Sequence, residues 1–172
     1  MNGQLKRMSK LLHLKEITSP VVLAGLPKTY TEDMQAGIPA QWSQFNSHMG
    51  RIPGQKESVA YGVCFTDPKS PAGIRYVCAV EVSAKLDLPE SFIHLKLPPY
   101  QYAVFGHKGP ASTLHSTIQT IWDEWLPQSN YQLVSNAGFF FERYGELFNP
   151  QTRRGDIEVW IPVELKPNYI SQ

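Results

Sequence analysis

The chain has 172 residues, a length that suits one domain with a substantial hydrophobic core. Its 16 basic and 15 acidic side chains give a formal net charge of +1, so there is no electrostatic reason to expect a nucleic acid or a membrane surface as a partner. No apolar run reaches the roughly 18 residues that a membrane-spanning helix needs, and no cleavage site follows the basic N-terminus. These features predict a cytoplasmic protein.

The first half of the chain predicts a strand, a helix and a hairpin. The strand passes through residues 21–23. A helix is predicted over residues 38–50, with Pro39 in its first turn. Two alternating strands follow at 59–67 and 73–82, joined by a turn rich in proline, serine and glycine.

The second half repeats this order. A strand is predicted within residues 99–109, and a helix over residues 112–126 with Ser112 as its candidate N-cap. Two more strands lie within 138–148 and 155–164. Each half therefore contributes a β-α-β-β unit.

The repeated order predicts a duplicated α+β fold. The pseudo-repeats cover about 14–84 and 92–165 of a single domain, and the segment 83–98 between them is interpreted as a linker. We expect antiparallel sheets with two main helices and a pseudo-two-fold axis. Ligands prefer such junctions, so a central ligand cleft between the halves is predicted.

Four short motifs in the second half carry a family resemblance. In order, they are YQYAVFGHKGP, WDEWLP, FFFERY and DIEVWIPVE. They resemble the GyrI-like effector-binding domains, the ligand-binding modules of multidrug-responsive bacterial transcription activators, which also occur alone. The resemblance covers roughly residues 14–165 and implies a duplicated βαββ fold. The chain has no room for the helix-turn-helix of the fused activators, so it is expected to act as a stand-alone binding domain without direct DNA contact.

The last predicted strand carries the main candidate site. Glu158 and Trp160 share one face of it, opposite the apolar residues. An acid beside an indole suits a cation, because the carboxylate supplies charge and the ring supplies a cation–π contact. The resemblance implies the same chemistry, since the family binds lipophilic cations with a buried glutamate among aromatic side chains. Glu158 matches that glutamate, and Trp160 stands where many relatives have tyrosine.

The preceding strand offers a second acid beside an aromatic ring. Glu142 and Tyr144 share one face of this strand. An even hairpin register would put them on the same face as Glu158 and Trp160, and a one-residue slip would separate the two pairs. The sequence leaves this register open.

Further aromatic side chains are candidates for the other walls of the cleft. Trp42, Tyr61 and Tyr76 of the first half are predicted to close the opposite wall. In the strand at 99–109, Tyr102 and Phe105 point to opposite faces, so at most one of them lines the cleft. Tyr102 is retained as the candidate.

Two groups of side chains give no catalytic or metal signal. The histidines show no ligand spacing with cysteine or acid, so neither a metal nor a cofactor is predicted. His107 is interpreted as a surface or capping side chain. The two cysteines, Cys64 and Cys78, are predicted to be reduced core thiols.

Three functions remain open at this point. The first is a small-molecule binding domain for aromatic or lipophilic cations, acting in transcriptional regulation or in drug sensing and sequestration. The second, implied by the resemblance, is a hydrolase of strained electrophilic rings that uses a glutamate and a tyrosine. The third is an inhibitor of a DNA enzyme that acts through a specific protein surface. Candidate pairs for hydrolysis are Glu142 with Tyr144, or Glu158 with Tyr76 or Tyr61.

Overall fold

The computed structural model describes residues 9–32, 34–66 and 73–170. Its strands are β1 Ser9–Glu16, β2 Val21–Tyr30, β3 Gln55–Thr66, β4 Ile74–Val82, β5 Ile93–Leu97, β6 Gln101–His107, β7 Tyr131–Leu133, β8 Phe139–Tyr144 and β9 Ile157–Leu165. Helix α1 spans Met34–Asn46, and a continuous helical segment at 111–128 is named α2. A 3-10 turn at Pro167–Tyr169 follows β9.

The chain divides into two compact units. The first unit contains the described residues of 18–99 together with 138–141, and the second contains 9–17, 100–137 and 142–170. In the first unit the strand order is β3-β4-β2-β5, and its β2–β4, β2–β5 and β3–β4 pairs are antiparallel. In the second unit the order is β1-β6-β9-β8, with β7 paired to the C-terminal end of β9.

Both units use the same connection of elements. In the first unit β2 leads into α1 and then into the hairpin β3–β4, and β2 pairs with β4. In the second unit β6 leads into α2 and, through the additional short strand β7, into β8 and β9, and β6 pairs with β9. The predicted α+β class with antiparallel strands and two main helices is confirmed. That the two units superpose about a pseudo-two-fold axis stays a prediction.

Helix α1 begins and ends earlier than its sequence predicts. It covers Met34–Asn46, so Pro39 lies inside the helix rather than in its first turn. The earlier start is explained by packing, because Met34 and Ile38 both lie against the hydrophobic core of the first unit. After Asn46 the chain turns through short-range backbone hydrogen bonds, and Gly50 takes a left-handed φ of 81°.

Helix α2 is irregular. It opens with a 3-10 turn at Ala111–Thr113, so Ser112 lies inside that turn and the predicted N-cap is wrong. An α-helical stretch follows at Leu114–Thr120, then a π-helical turn at Ile121–Trp125. Leu114 and Ile121 face the core, as their spacing predicts.

Three segments outside the predicted strands also form strands, and the shortest of them, β7, pairs with the C-terminal end of β9. Ile93–Leu97, within the presumed linker, is β5 and pairs with Val21–Gly25 of β2. Near the N-terminus, Ser9–Glu16 forms β1 and pairs with β6. The IHLKL pattern of β5 alternates but was overlooked within the predicted linker, whereas the adjacent Leu11 and Leu12 interrupt the alternation of β1. Residues 68–72 of the predicted turn at 68–73 lie outside the described residues.

The core of the first unit lies between α1 and one face of the sheet. Phe45 of α1 is completely buried there, against Ala24, Val80 and other members of the cluster. Both cysteines belong to this core as free, buried thiols, which agrees with the sequence prediction. The helix-covered side of this sheet is therefore packing surface.

Candidate functional site

Strand β9 of the second unit presents an acid with two polar partners. The Trp160 indole Nε1 donates to Glu158 Oε1 at 3.3 Å, and Nη1 of Arg143, on β8, lies 3.4 Å from the same oxygen. The side chains of Glu158 and Arg143 are 17% and 30% exposed, so solvent reaches both. Oε2 of Glu158 receives no hydrogen bond from any residue that the structure describes. The second carboxylate oxygen is therefore available to a ligand.

Strand β6 completes the surface around Glu158. Gly106 lies directly opposite Glu158 in the ladder, so no β6 side chain covers the carboxylate at that point. Four residue pairs further along, Tyr102 pairs with Pro162, and its fully buried ring contacts that of Trp160 at a centroid distance of 5.9 Å and an angle of 57°. We call the group formed by Glu158, Trp160 and the buried Tyr102, with Arg143 beside it, the Glu158 face.

Tyr102 contributes an apolar ring and a protonated hydroxyl to this face. Burial, with a smaller contribution from the neighbouring Tyr100, raises the pKa of Tyr102 above its ordinary value. The Tyr100 ring lies 6.4 Å from that of Tyr102, centroid to centroid. The hydroxyl therefore stays protonated at neutral pH, and Tyr102 is a packing or donor group rather than a base.

The structure decides the register that the sequence left open. Along β8, Arg143 alternates with Glu142 and Tyr144, and it is Arg143 that contacts Glu158. Glu142 and Glu158 therefore lie on opposite faces of the hairpin, so the possible pairing of the two acids does not occur. The Tyr144 hydroxyl donates to Glu142 Oε1 at 2.8 Å, and Glu142 is 8% exposed. This pair is a separate, buried cluster.

The three aromatic candidates of the first unit do not form one wall. The Trp42 indole donates to the Tyr76 hydroxyl at 3.1 Å, and both residues pack on the α1 side of the sheet. Tyr61 pairs with Ala79 in the ladder, whereas Tyr76 pairs with Cys64, so Tyr61 points to the opposite face from Tyr76. The prediction of a shared wall is wrong, since alternation along β3 and β4 separates these rings. Tyr61 contacts Phe141 at 5.8 Å between ring centroids.

Sequence reasoning missed two contributors to the site. Arg143 was not singled out, although its position one residue from Glu142 put it on the alternative face of β8. Gly106 was missed as well, because a glycine inside a strand becomes informative only when its ladder partner is known. In both cases the missing information was the pairing of distant strands.

Neither a metal centre nor a membrane span emerges from the described part of the chain. Within residues 9–32, 34–66 and 73–170, no group of three or more His, Cys, Asp and Glu side chains could hold a metal ion. In that same part, the helices are too short or too polar to cross a bilayer.

Comparison with known sequences identifies a family. Residues 18–164 match the GyrI-like small molecule binding domain. The transcriptional regulator BrlR of Pseudomonas aeruginosa is 30% identical over 124 residues, which is 71% of this chain and 44% of BrlR. The chain thus spans less than half the length of that relative.

Comparison with solved structures shows the same fold. A chain of the EcmrR–DNA complex has a TM-score of 0.68 at 17% identity, over 96% of this chain and 63% of that one. SAV2435, solved bound to tetraphenylphosphonium, has a TM-score of 0.65 at 19% identity, over 92% of this chain and 97% of that one. A putative transcription regulation protein from Staphylococcus aureus MU50 has a TM-score of 0.62 at 21% identity, over 88% of this chain and 97% of that one.

Proposed function

The chain belongs to the GyrI-like small-molecule binding domain family, and we propose that it binds small lipophilic molecules carrying a positive charge on the Glu158 face. The observation that carries this proposal is the partly exposed Glu158 carboxylate, which stands beside the Trp160 indole and has one oxygen that receives no hydrogen bond from the described residues. A ligand cation near Oε2 gains a charge-assisted contact, and the Trp160 ring adds a cation–π contact. Tyr102 is completely buried, and its ring packs against that of Trp160 and so helps to hold the indole in place.

Three similar proteins support a role in the control of transcription. BrlR is a transcriptional regulator, EcmrR is solved on DNA, and SAV2435 is solved with a lipophilic cation. We infer that this domain senses or sequesters such ligands in the control of transcription. Outside the Glu158–Trp160 pair, the further candidate contacts are Trp42, Tyr61, Tyr76, Tyr102, Glu142 and Tyr144. Their role as ligand contacts stays a prediction.

Removing the charge of Glu158 tests the binding proposal. Glu158→Gln keeps the size of the side chain and its capacity to accept a hydrogen bond. It is expected to weaken tetraphenylphosphonium binding by about 1–2 kcal/mol, the Coulombic attraction between two partly exposed charges, since the phosphonium has no hydrogen-bond donor. Binding is measured by tryptophan fluorescence and by the shift of the melting temperature, because a ligand of the native state raises that temperature. Triphenylphosphine oxide, which is neutral, should bind both proteins equally.

A matched variant controls for the change in net charge. Glu146 is exposed and lies in the loop after β8, so Glu146→Gln should leave both affinities unchanged. If Glu158→Gln binds tetraphenylphosphonium as tightly as the unmodified protein, Glu158 is not a ligand contact. If the unmodified protein responds to neither compound in either measurement, the binding proposal fails.

One observation favours a second candidate function, hydrolysis of strained electrophilic rings. The Tyr144 hydroxyl and the Glu142 carboxylate are hydrogen-bonded at 2.8 Å, which joins a potential base to a phenol donor. Turnover of an epoxide or cyclopropane electrophile, lost in both Glu142→Gln and Tyr144→Phe, would support this function. Absence of turnover by the unmodified protein would remove it.

A further inference from the structure

Arg143 gives the Glu158 face a positive charge of its own. Its Nη1 lies 3.4 Å from Glu158 Oε1, and 30% of its side chain is exposed. We propose that Arg143 makes this face selective for zwitterionic or strongly dipolar ligands, which carry an accepting group beside their positive charge, over simple cations. The inference rests on the proposed function, because it concerns the ligand class of the same site.

The charge balance at the site supports this selectivity. Glu158 and Arg143 together are neutral, so a simple cation that approaches Oε2 is attracted by the carboxylate and repelled by the guanidinium. Both charges are only partly exposed, so solvent screens neither of them fully. An anionic group on the ligand, placed beside Arg143, turns that repulsion into attraction. The carboxylate end of the site still holds the positive group.

The unused hydrogen-bonding groups of the site also suit a ligand that carries both a positive and an accepting group. A guanidinium has five N–H donors, and within the part of the chain that the structure describes Arg143 uses one of its nitrogens, on Glu158. On Glu158, both protein donors converge on Oε1, which leaves Oε2 as an acceptor. The site therefore offers hydrogen-bond donors on Arg143 and an acceptor on the adjacent Glu158.

The neighbouring rings favour a flat body between the two charges. Trp160 presents a half-buried ring next to Glu158 and is packed against the fully buried Tyr102, while Gly106 places no β6 side chain opposite the carboxylate. An aromatic ligand stacked on Trp160 can direct its positive group to Oε2 and its accepting group to Arg143. The expected ligand class is thus an aromatic zwitterion or a compound with a comparable dipole.

Two dyes that differ in one charge test the inference. Rhodamine B is a zwitterion at neutral pH, whereas its ethyl ester is a cation with the same ring system. Fluorescence anisotropy titrations are made with the unmodified protein and with Arg143→Gln. The substitution should weaken rhodamine B binding and strengthen ester binding, each by about three- to tenfold, the range of one partly exposed charge contact. Arg143→Lys keeps the charge and should change ester binding little.

Controls separate this inference from the binding proposal itself. Arg75 is exposed in the first unit, so Arg75→Gln makes the same change in net charge and should leave both affinities unchanged. Parallel changes for the two dyes in Arg143→Gln, or no change for either, would overturn the role of Arg143. So would failure of rhodamine B to bind the unmodified protein. In each of these cases, tetraphenylphosphonium binding that depends on Glu158 would leave the proposed function standing.

Discussion

His107 is buried at the end of β6, although its sequence context suggested a surface or capping position. It is 6% exposed, and the Thr117 hydroxyl of α2 donates to its Nδ1 at 2.7 Å. The Pro110 carbonyl, 2.9 Å from Nε2, can only accept, so Nε2 carries a proton, and in the neutral ring Nδ1 is then the acceptor. This side chain therefore joins the strand to the start of the helix.

The stability of the fold should depend on pH through His107. Burial lowers the pKa of His107 below its ordinary value of 6.5, and the nearby His115 lowers it further, while the Pro110 carbonyl opposes both. Below about pH 6.5 the unfolded chain therefore binds a proton that the folded protein resists. We expect the free energy of unfolding to be greatest above that pH and to decline as the pH falls towards the folded-state pKa.

Urea denaturation between about pH 8 and pH 5 measures this dependence. His107→Gln keeps a donor and an acceptor but cannot titrate, so its stability should vary less with pH over this range. His13 is exposed, and His13→Gln should retain the full dependence of the unmodified protein. An identical pH profile for His107→Gln and the unmodified protein would show that His107 does not carry the effect.

At the scale of elements, one polar side chain attaches α1 to the sheet of the first unit. Gln41 is 3% exposed, and its amide nitrogen donates to the carbonyls of Leu26 on β2 and Tyr76 on β4, each at 2.9 Å. Its amide oxygen accepts from the Tyr30 hydroxyl at 2.7 Å. All three bonds are buried, so loss of the Gln41 amide removes a buried hydrogen bond from each of these groups.

Gln41→Met is therefore expected to destabilise the protein more than its conservative volume suggests. Methionine fills the space but makes none of the three hydrogen bonds, which leaves buried polar groups without this partner and costs about 2–4 kcal/mol. The free energy of unfolding from urea denaturation measures the cost. Gln44→Met, on the exposed side of the same helix, is the matched control and should change stability little. Equal stabilities of the two variants would refute the anchoring role.

At the scale of the whole molecule, the two units share one connection of strand, helix and hairpin. We predict that β2-α1-β3-β4 superposes on β6-α2-β8-β9 as a rigid motif in an experimental structure. The physical reason is that the first strand of each motif pairs with the last strand of the same motif, which confines the helix to one face of the sheet. A crystal structure in which the two motifs place their helices on non-equivalent faces would contradict the duplication.

Much of the fold could be predicted because its signals are local. Alternation of apolar and polar residues gave β9 and the two faces of its strand, and helical spacing gave α2 with Leu114 and Ile121 inward. The helix boundaries were predicted less accurately. Helix α1 begins at Met34, whose side chain packs against the core, and the local pattern does not indicate this contact. Strand β5 carries a local signal that the sequence analysis overlooked, because its IHLKL pattern alternates as a strand does.

By itself, the sequence determined the class of the fold, its family and the placement of Glu158 beside Trp160 on one strand face. Those properties follow from a period of two along a strand and from motifs that are contiguous in the chain. Only the tertiary structure decided which residues of other strands join them. The pairing of β8 with β9 gave Glu158 an arginine partner instead of a second acid, and that of β6 with β9 brought in Tyr102 and Gly106. The physical reason is that a shift of one residue in register exchanges the two faces of a strand, and no local pattern specifies that register.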